Sequence, residues 1–274
     1  MKTILSSAIA ALLLSGASLA QTAEEATGAV HYLSTEEAQA KYFKHPEHID
    51  WPQAGVMGAY DKAQLQRGLQ VYKEVCSACH GLKFVAFRNL EDLGYSSAQV
   101  KAFAGEYTFI DGPDDQGEMY ERPGKPSDYF PSPFANSQAA AAANNGAAPP
   151  DLSLVVKARE GGENYVYSLL SGYADAPDDV ELGDGQSYNP YFASLVLAMG
   201  PPLFDGAVNY ADGTEASVDQ MARDVAAFLT WAAEPNHDQR KEMGLMVMLF
   251  LGVLTVLTYA SYRRVWAKVK SDKA

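Results

Sequence analysis

Cysteine is nearly absent from this chain. Two thiols in 274 residues exclude a disulfide framework. With no second C-x-x-C, a closed four-ligand zinc site would have to draw on scattered histidines. Histidine is scarce as well, at His31, His45, His48, His80 and His237 only. Strand signals are few and no internal repeat is visible, so the chain reads as mainly α. Basic residues are in deficit, 21 Lys and Arg against 34 Asp and Glu, for a net charge of −13. Between Gln21 and Glu242 the imbalance is 33 acidic to 15 basic residues, a net of −18. A body this acidic does not seek nucleic acid or anionic lipid, and it attracts basic partners.

Long apolar runs occur at the two ends. Residues 1–20, "MKTILSSAIAALLLSGASLA", join a short positive start to an apolar run and a small-residue cleavage site. This is the pattern of a secretory signal peptide, so the mature chain is expected to start at Gln21. Residues 243–262, "MGLMVMLFLGVLTVLTYASY", carry no charge. At about 1.5 Å per residue the run is about 30 Å long, the thickness of a bilayer core. A basic tail occupies 263–274, with Arg263, Arg264, Lys268, Lys270 and Lys273, and Tyr259, Tyr262 and Trp266 suit the interface. Positive residues stay on the cytoplasmic side. The expectation is an exported domain at 21–242 tethered by a single transmembrane helix, with the C-terminus cytoplasmic.

Within the body, Asp61 to Val75 reads as an amphipathic helix, with Asp61 as N-cap and Leu65, Gly68, Val71, Tyr72 and Val75 on one face. Ser217 to Ala233 is a second, with Val218, Met221, Val225, Phe228, Leu229 and Trp231 as its apolar positions. One or two short helices are expected between Leu82 and Gly105, and another within Asp151–Gly172. Residues 21–52 read as irregular, 107–150 as a long structured loop, and "NHDQRKE" before the span as a linker. The acidic stretches at 111–118 and 175–184 read either as solvated loops or as a steering surface.

The only two cysteines lie in "VYKEVCSACHGL", as Cys76-Ser77-Ala78-Cys79-His80. A redox dithiol would want a strand-to-helix turn in a βαβ setting, which the neighbourhood lacks. A disulfide across two residues would close a strained loop. Attachment of c-type haem uses every residue: each thiol bonds one vinyl group, and His80 becomes an iron ligand. An exported compartment agrees with that reading. The second axial position decides the chemistry, because open iron binds small molecules and closed iron only passes an electron. Met199 is the best candidate. It lies in the apolar stretch "FASLVLAMGPPLF", about 120 residues after the motif, and Gly200, Pro201 and Pro202 stiffen the backbone just beyond it. Ordinary core packing is the alternative for Met199. The helices before the motif and at the end of the domain would cross in a cytochrome c-like module, with Gly68 allowing close approach and Phe228 or Trp231 packing there.

These residues, with "RGLQVYKEVCSACHGLKFVAFRNL", "ANNGAAPPDLSLVVKAREGGENYVYSLLSGY", "YFASLVLAMGPPL" and "DVAAFLTWAAEP", resemble the cytochrome c1 family, haem subunits of quinol–cytochrome c oxidoreductases, in its bacterial form. The resemblance implies a mainly α, cytochrome c-like haem domain with long loops and one C-terminal transmembrane helix. It implies one covalent haem c on Cys76 and Cys79, with His80 and Met199 as axial ligands. Asn144, Ala147, Pro149, Pro150, Arg159, Tyr165 and Phe192 would form the haem pocket, Arg159 facing a propionate. It further implies electron transfer from a Rieske iron–sulfur subunit to a c-type cytochrome, beside cytochrome b, in a dimeric complex of the inner membrane with the haem domain periplasmic. The chain is then a carrier and no enzyme by itself. It departs from many relatives at Glu160, where they carry a histidine, and it lacks the extra cysteine pair of some bacterial members. The competing class is a membrane-tethered c-haem enzyme of peroxidase or nitrite reductase type, with an open axial site.

Overall fold

Ser34 opens the first helix, α1 (Thr35–Tyr42), through a capping box: its hydroxyl accepts from the Glu37 N–H, and the Glu37 carboxylate accepts the Ser34 N–H at 3.0 Å. The computed structural model describes residues 33–271. The expected leader at 1–20 and His31 lie outside them. The segment read as irregular therefore holds a helix. Only Ala38 of α1 is buried, so the helix carries almost no apolar period to betray it. Lys41 and Tyr42 instead tie its end to Asp179, at 2.8 and 2.7 Å. Part of the second acidic stretch is thus a structural brace.

Asp61 caps α2 (Lys62–Glu74), its carboxylate accepting the Ala63 N–H at 2.9 Å. Leu65, Gly68, Leu69, Val71 and Tyr72 are buried on its inner face. A 3-10 turn at Cys76–Ala78, a longer one at Phe87–Leu93 and α3 (Ser97–Gly105) come next. The stretch 107–150 is more regular than expected. It holds an antiparallel hairpin, β1 (Thr108–Asp111) with β2 (Tyr120–Pro123), and a short helix, α4 (Ser137–Ala143). Phe109 pairs with Arg122, and the guanidinium lies 5.6 Å from the Phe109 ring centroid. Arg122 also ion-pairs Asp111 and Asp128, so the first acidic stretch is partly neutralised from within. The hairpin is anchored by an aromatic cluster in which Phe87 meets Tyr107, Phe109 and Phe130 at 5.0, 6.3 and 4.6 Å.

After these come α5 (Glu163–Ser171), a two-residue pairing of β3 (Ser187–Tyr188) with β4 (Val196–Leu197), and α6 (Val218–Ala233). The main core lies where α2 and α5 pack on α6, around Tyr72, Val225, Phe228 and Trp231. Gly68 marks the α2–α6 crossing. A Cβ there would fall on the Asp224 carbonyl oxygen and 2.6 Å from the Phe228 Cβ. The crossing is locked by Arg67, whose guanidinium reaches the fully buried Asp224 and the exposed Asp212, both at 2.9 Å. Gln220 donates a further bond to Asp224 at 2.9 Å.

The last helix, α7 (His237–Ser271), contains the apolar run and is long and apolar enough to cross a membrane. The expected linker is its first turns. No Pro or Gly occurs in "NHDQRKE", residues 236–242, so nothing stops a helix from starting there.

Asp212 gives this architecture an acid dependence. The Thr214 N–H, then Arg67, hold its carboxyl down at about 2. Because the folded value lies below the unfolded one of about 3.9, the contribution is complete above about pH 5 and disappears as pH falls toward 2. The carboxyls of Asp111 and Asp128, beside Arg122, are depressed in the same sense. Thermal melts should be flat from pH 7 to 5 on this account and fall steeply below pH 4. Asp212→Asn should melt lower at pH 7 and show a shallower acid slope.

Candidate functional site

Where α2 ends, the backbone tightens. The N–H groups of Cys79 and His80 both donate to the Cys76 carbonyl, at 3.1 and 2.9 Å. This turn gathers the two thiols and the imidazole within five residues. Ser77 ties it back to the Lys73 carbonyl at 2.7 Å, and the Tyr72 hydroxyl donates to the His80 carbonyl at 3.1 Å. Both thiols are free. Burial, and then the neighbouring Cys79, pushes the Cys76 thiol up to about 12, which keeps it protonated near neutrality.

His80 Nδ1 lies 2.7 Å from the Pro150 carbonyl oxygen. A carbonyl only accepts, so Nδ1 carries the proton and the neutral ring keeps a bare lone pair on Nε2. Burial lowers the imidazole pKa, which also favours the neutral ligand form. The carbonyl is placed by a stitched segment. Leu152 N–H donates to the Gly81 carbonyl, and the Asp151 carboxylate accepts from Lys83 and Ser153, at 2.9, 2.9 and 3.0 Å. The buried Ser153 hydroxyl accepts the Phe84 N–H at 3.1 Å. Pro150, expected to line a haem edge, is placed here by its carbonyl, which orients the imidazole.

Met199 lies just beyond β4. Tyr173, past the end of α5, donates its hydroxyl to the Met199 carbonyl at 3.0 Å. The loop before Met199 is pinned by the fully buried Asn189, which donates from Nδ2 to the Leu169 carbonyl at 2.7 Å and receives the Tyr191 N–H at 3.0 Å. Leu195 closes that loop in the left-handed region, at φ 63°. Neither Tyr173 nor Asn189 stands out in the sequence. Each bonds a backbone atom of a distant residue, and only a polar residue within an apolar run could hint at it.

The other expected pocket residues are less concentrated. Asn144 ends α4, its side chain donating to the Ala140 carbonyl at 2.7 Å, and Ala147 is an exposed turn residue bonded to Asn144. Pro149 and Phe192 are half-buried, as is Tyr165, which packs on the main core from α5. Arg159 is exposed and forms no ion pair among the described residues, its guanidinium reaching only the Ala158 carbonyl. That leaves it able to take an anionic group. Glu160 is exposed. Asn144, Ala147, Arg159 and Phe192 keep their hydrogen bonds within their own segments.

The donor set suits a covalent haem: two thiols outside any disulfide, an imidazole with Nε2 bare, a thioether on a tethered loop and a guanidinium that forms no ion pair among the described residues. With two crossing helices and one membrane helix, these features define a membrane-anchored c-type haem protein. The comparisons narrow the class. The Cytochrome C1 family profile matches residues 51–269. "Cytochrome c1" of Rhodospirillum rubrum is 53% identical over 237 residues, covering 81% of this chain and 87% of that protein. The mitochondrial cytochrome c1 heme protein of Schizosaccharomyces pombe is 50% identical over 224 residues, 82% of this chain and 73% of its own. "Cytochrome b/c1" of Bradyrhizobium diazoefficiens is 46% identical over 265 residues, 88% of this chain and 39% of that longer protein. The chain belongs to the cytochrome c1 family, whose members bind one covalently attached haem c.

Proposed function

We propose that this chain carries single electrons from a Rieske iron–sulfur subunit to a c-type cytochrome. It is a haem subunit of a cytochrome bc1 complex, with cytochrome b as a neighbour, and an electron carrier rather than an enzyme alone. The observation that carries the reading is the His80 Nδ1–Pro150 contact directly after C-x-x-C. It presets the tautomer a metal-ligating imidazole needs. Cys76 and Cys79 would attach the haem, and His80 and Met199 would supply its two iron ligands. Arg159 would pair with a propionate, while Asn144, Ala147, Pro149, Pro150, Tyr165 and Phe192 would line the pocket. When bound, the haem supplies a one-electron couple. The chain's own contribution is to fix the two ligands and to leave no position for a substrate, which disfavours a peroxidase or nitrite reductase.

The same reading places the haem domain, 21–242, on the periplasmic side of the inner membrane. The signal peptide at 1–20 and the basic tail at 263–274 support that orientation, and the span is assigned to 243–262. The exposed acids Asp115, Glu118, Asp175, Asp178, Glu181 and Asp184 are available to steer a basic acceptor, whereas Asp111 and Asp179 are already braced.

Mild-detergent purification should bring down cytochrome b and an iron–sulfur protein with the chain, identified by mass spectrometry. The alkaline pyridine haemochrome should have thioether-type bands, and the native reduced protein should not bind carbon monoxide. Carbon monoxide binding would instead favour the open-site enzyme.

A further inference from the structure

We propose that the loop Ala54–Gly58 is a second membrane contact, its apolar tip, Val56 and Met57, seated in the lipid bilayer beside α7. The inference rests on α7 being the membrane span. Val56 and Met57 are 81% and 82% exposed, adjacent in the chain, and the most exposed large apolar side chains in the described part of the body, where Ile110 follows at 72%. They sit in Trp51–Tyr60, ten consecutive residues without a charge, flanked by Asp50 and Asp61.

The exposure is built in. The Ala59 N–H donates to the Pro52 carbonyl at 3.2 Å and the Ala54 N–H to the Trp51 carbonyl at 3.0 Å, closing the base of the loop. Gly58 lets the chain turn there, since a Cβ would overlap the Ala54 carbonyl oxygen. Lys241 on α7 then braces both ends, its ammonium donating to the Gln53 and Gly58 carbonyls at 2.7 and 2.9 Å. Lys241 lies two residues before Met243, where the uncharged run begins, about 3 Å along the helix axis. The brace therefore sets the loop at the level where headgroups give way to acyl chains.

Helix α7 needs such help at this end. Its far end carries Tyr259, Tyr262 and Trp266, whereas its first aromatic residue at the near end after His237 is Phe250, well inside the run. Tyr60, its ring 5.0 Å from that of His237, and the apolar tip supply the missing interfacial anchor. Lipid is the chosen occupant because the surface is continuous with α7, whose apolar side chains are themselves exposed.

The test uses the full-length, haem-loaded protein in phosphatidylcholine nanodiscs, and again within the purified complex. With both motif thiols taken up by haem, Met57→Cys provides a single site for a nitroxide. Power saturation then compares access of oxygen with access of a water-soluble nickel chelate. Labels at Thr255→Cys, within the span, and Asp184→Cys, on an exposed acidic loop, serve as references. Oxygen access at position 57 should exceed chelate access several-fold, as at 255 and opposite to 184. Lys241→Met should reverse that preference without moving the haem spectrum. A chelate-accessible label at 57 beside an oxygen-accessible one at 255 overturns the loop contact alone. A chelate-accessible label at 255 overturns the span as well. A label at 57 shielded from both probes in the complex overturns lipid in favour of a protein neighbour.

Discussion

Met199→Leu should leave the fold intact and change the iron. Leucine conserves volume, and such swaps in a packed site cost less than about 1.5 kcal/mol. It has no sulfur to offer. The potential should therefore drop by on the order of hundreds of millivolts, within the roughly 0.8 V that axial ligands span, and the reduced protein should bind carbon monoxide. Redox titration and the optical spectrum of the purified variant read both effects. An unchanged potential and spectrum would mean that another residue is the ligand. Tyr173 sharpens the result, because its hydroxyl holds the Met199 carbonyl and not the thioether. The variant removes the proposed ligand atom without releasing the loop.

The second large effect is on stability. Gly68→Leu puts a branched side chain where even a Cβ would collide with the α6 backbone at Asp224 and with Phe228. Neither neighbour can rotate away. The two helices must separate, loosening the Arg67–Asp224 pair and the packing around Tyr72. The cost should be about 3 kcal/mol, the upper end for overpacking. For a body of this size that is a fall in melting temperature of roughly 6–12 °C. Gly105→Ala is the control. A Cβ there meets nothing within 4 Å, so this variant should melt at or slightly above the parent temperature. Equal losses at both positions would show that the crossing is not special.

How much is legible in the sequence depends on where each element's information lies. Helices α2 and α6 carry their own signals, a capping Asp61 or Ser217 ahead of a full apolar stripe. Their crossing is legible because one residue, Gly68, interrupts that stripe. The uncharged run of α7 needs only counting. The hairpin is hidden because what holds it, Phe109 on Arg122 and Arg122 on Asp128, pairs residues of different strands and loops. Helix α1 is hidden because a single alanine faces inward. Within the proposed site, the motif and the thioether loop stand out by residue type. Pro150, Tyr173 and Asn189 act through backbone atoms, and no residue-type pattern records which carbonyl a side chain will meet. Asp179 has the look of a steering charge in the sequence, although Lys41 and Tyr42 already occupy it.

The imidazole of His80 is oriented by a carbonyl 70 residues downstream. On the proposed export from the N-terminus, both thiols and the histidine would emerge first, and the segment that steadies the ring only later. Until then the Pro150 carbonyl that holds His80 Nδ1 would be absent. Ligand geometry is therefore a late event in biogenesis, completed when a long loop closes. Covalent attachment at Cys76 and Cys79, as proposed, would not depend on that later segment, whereas orientation of the His80 ring would.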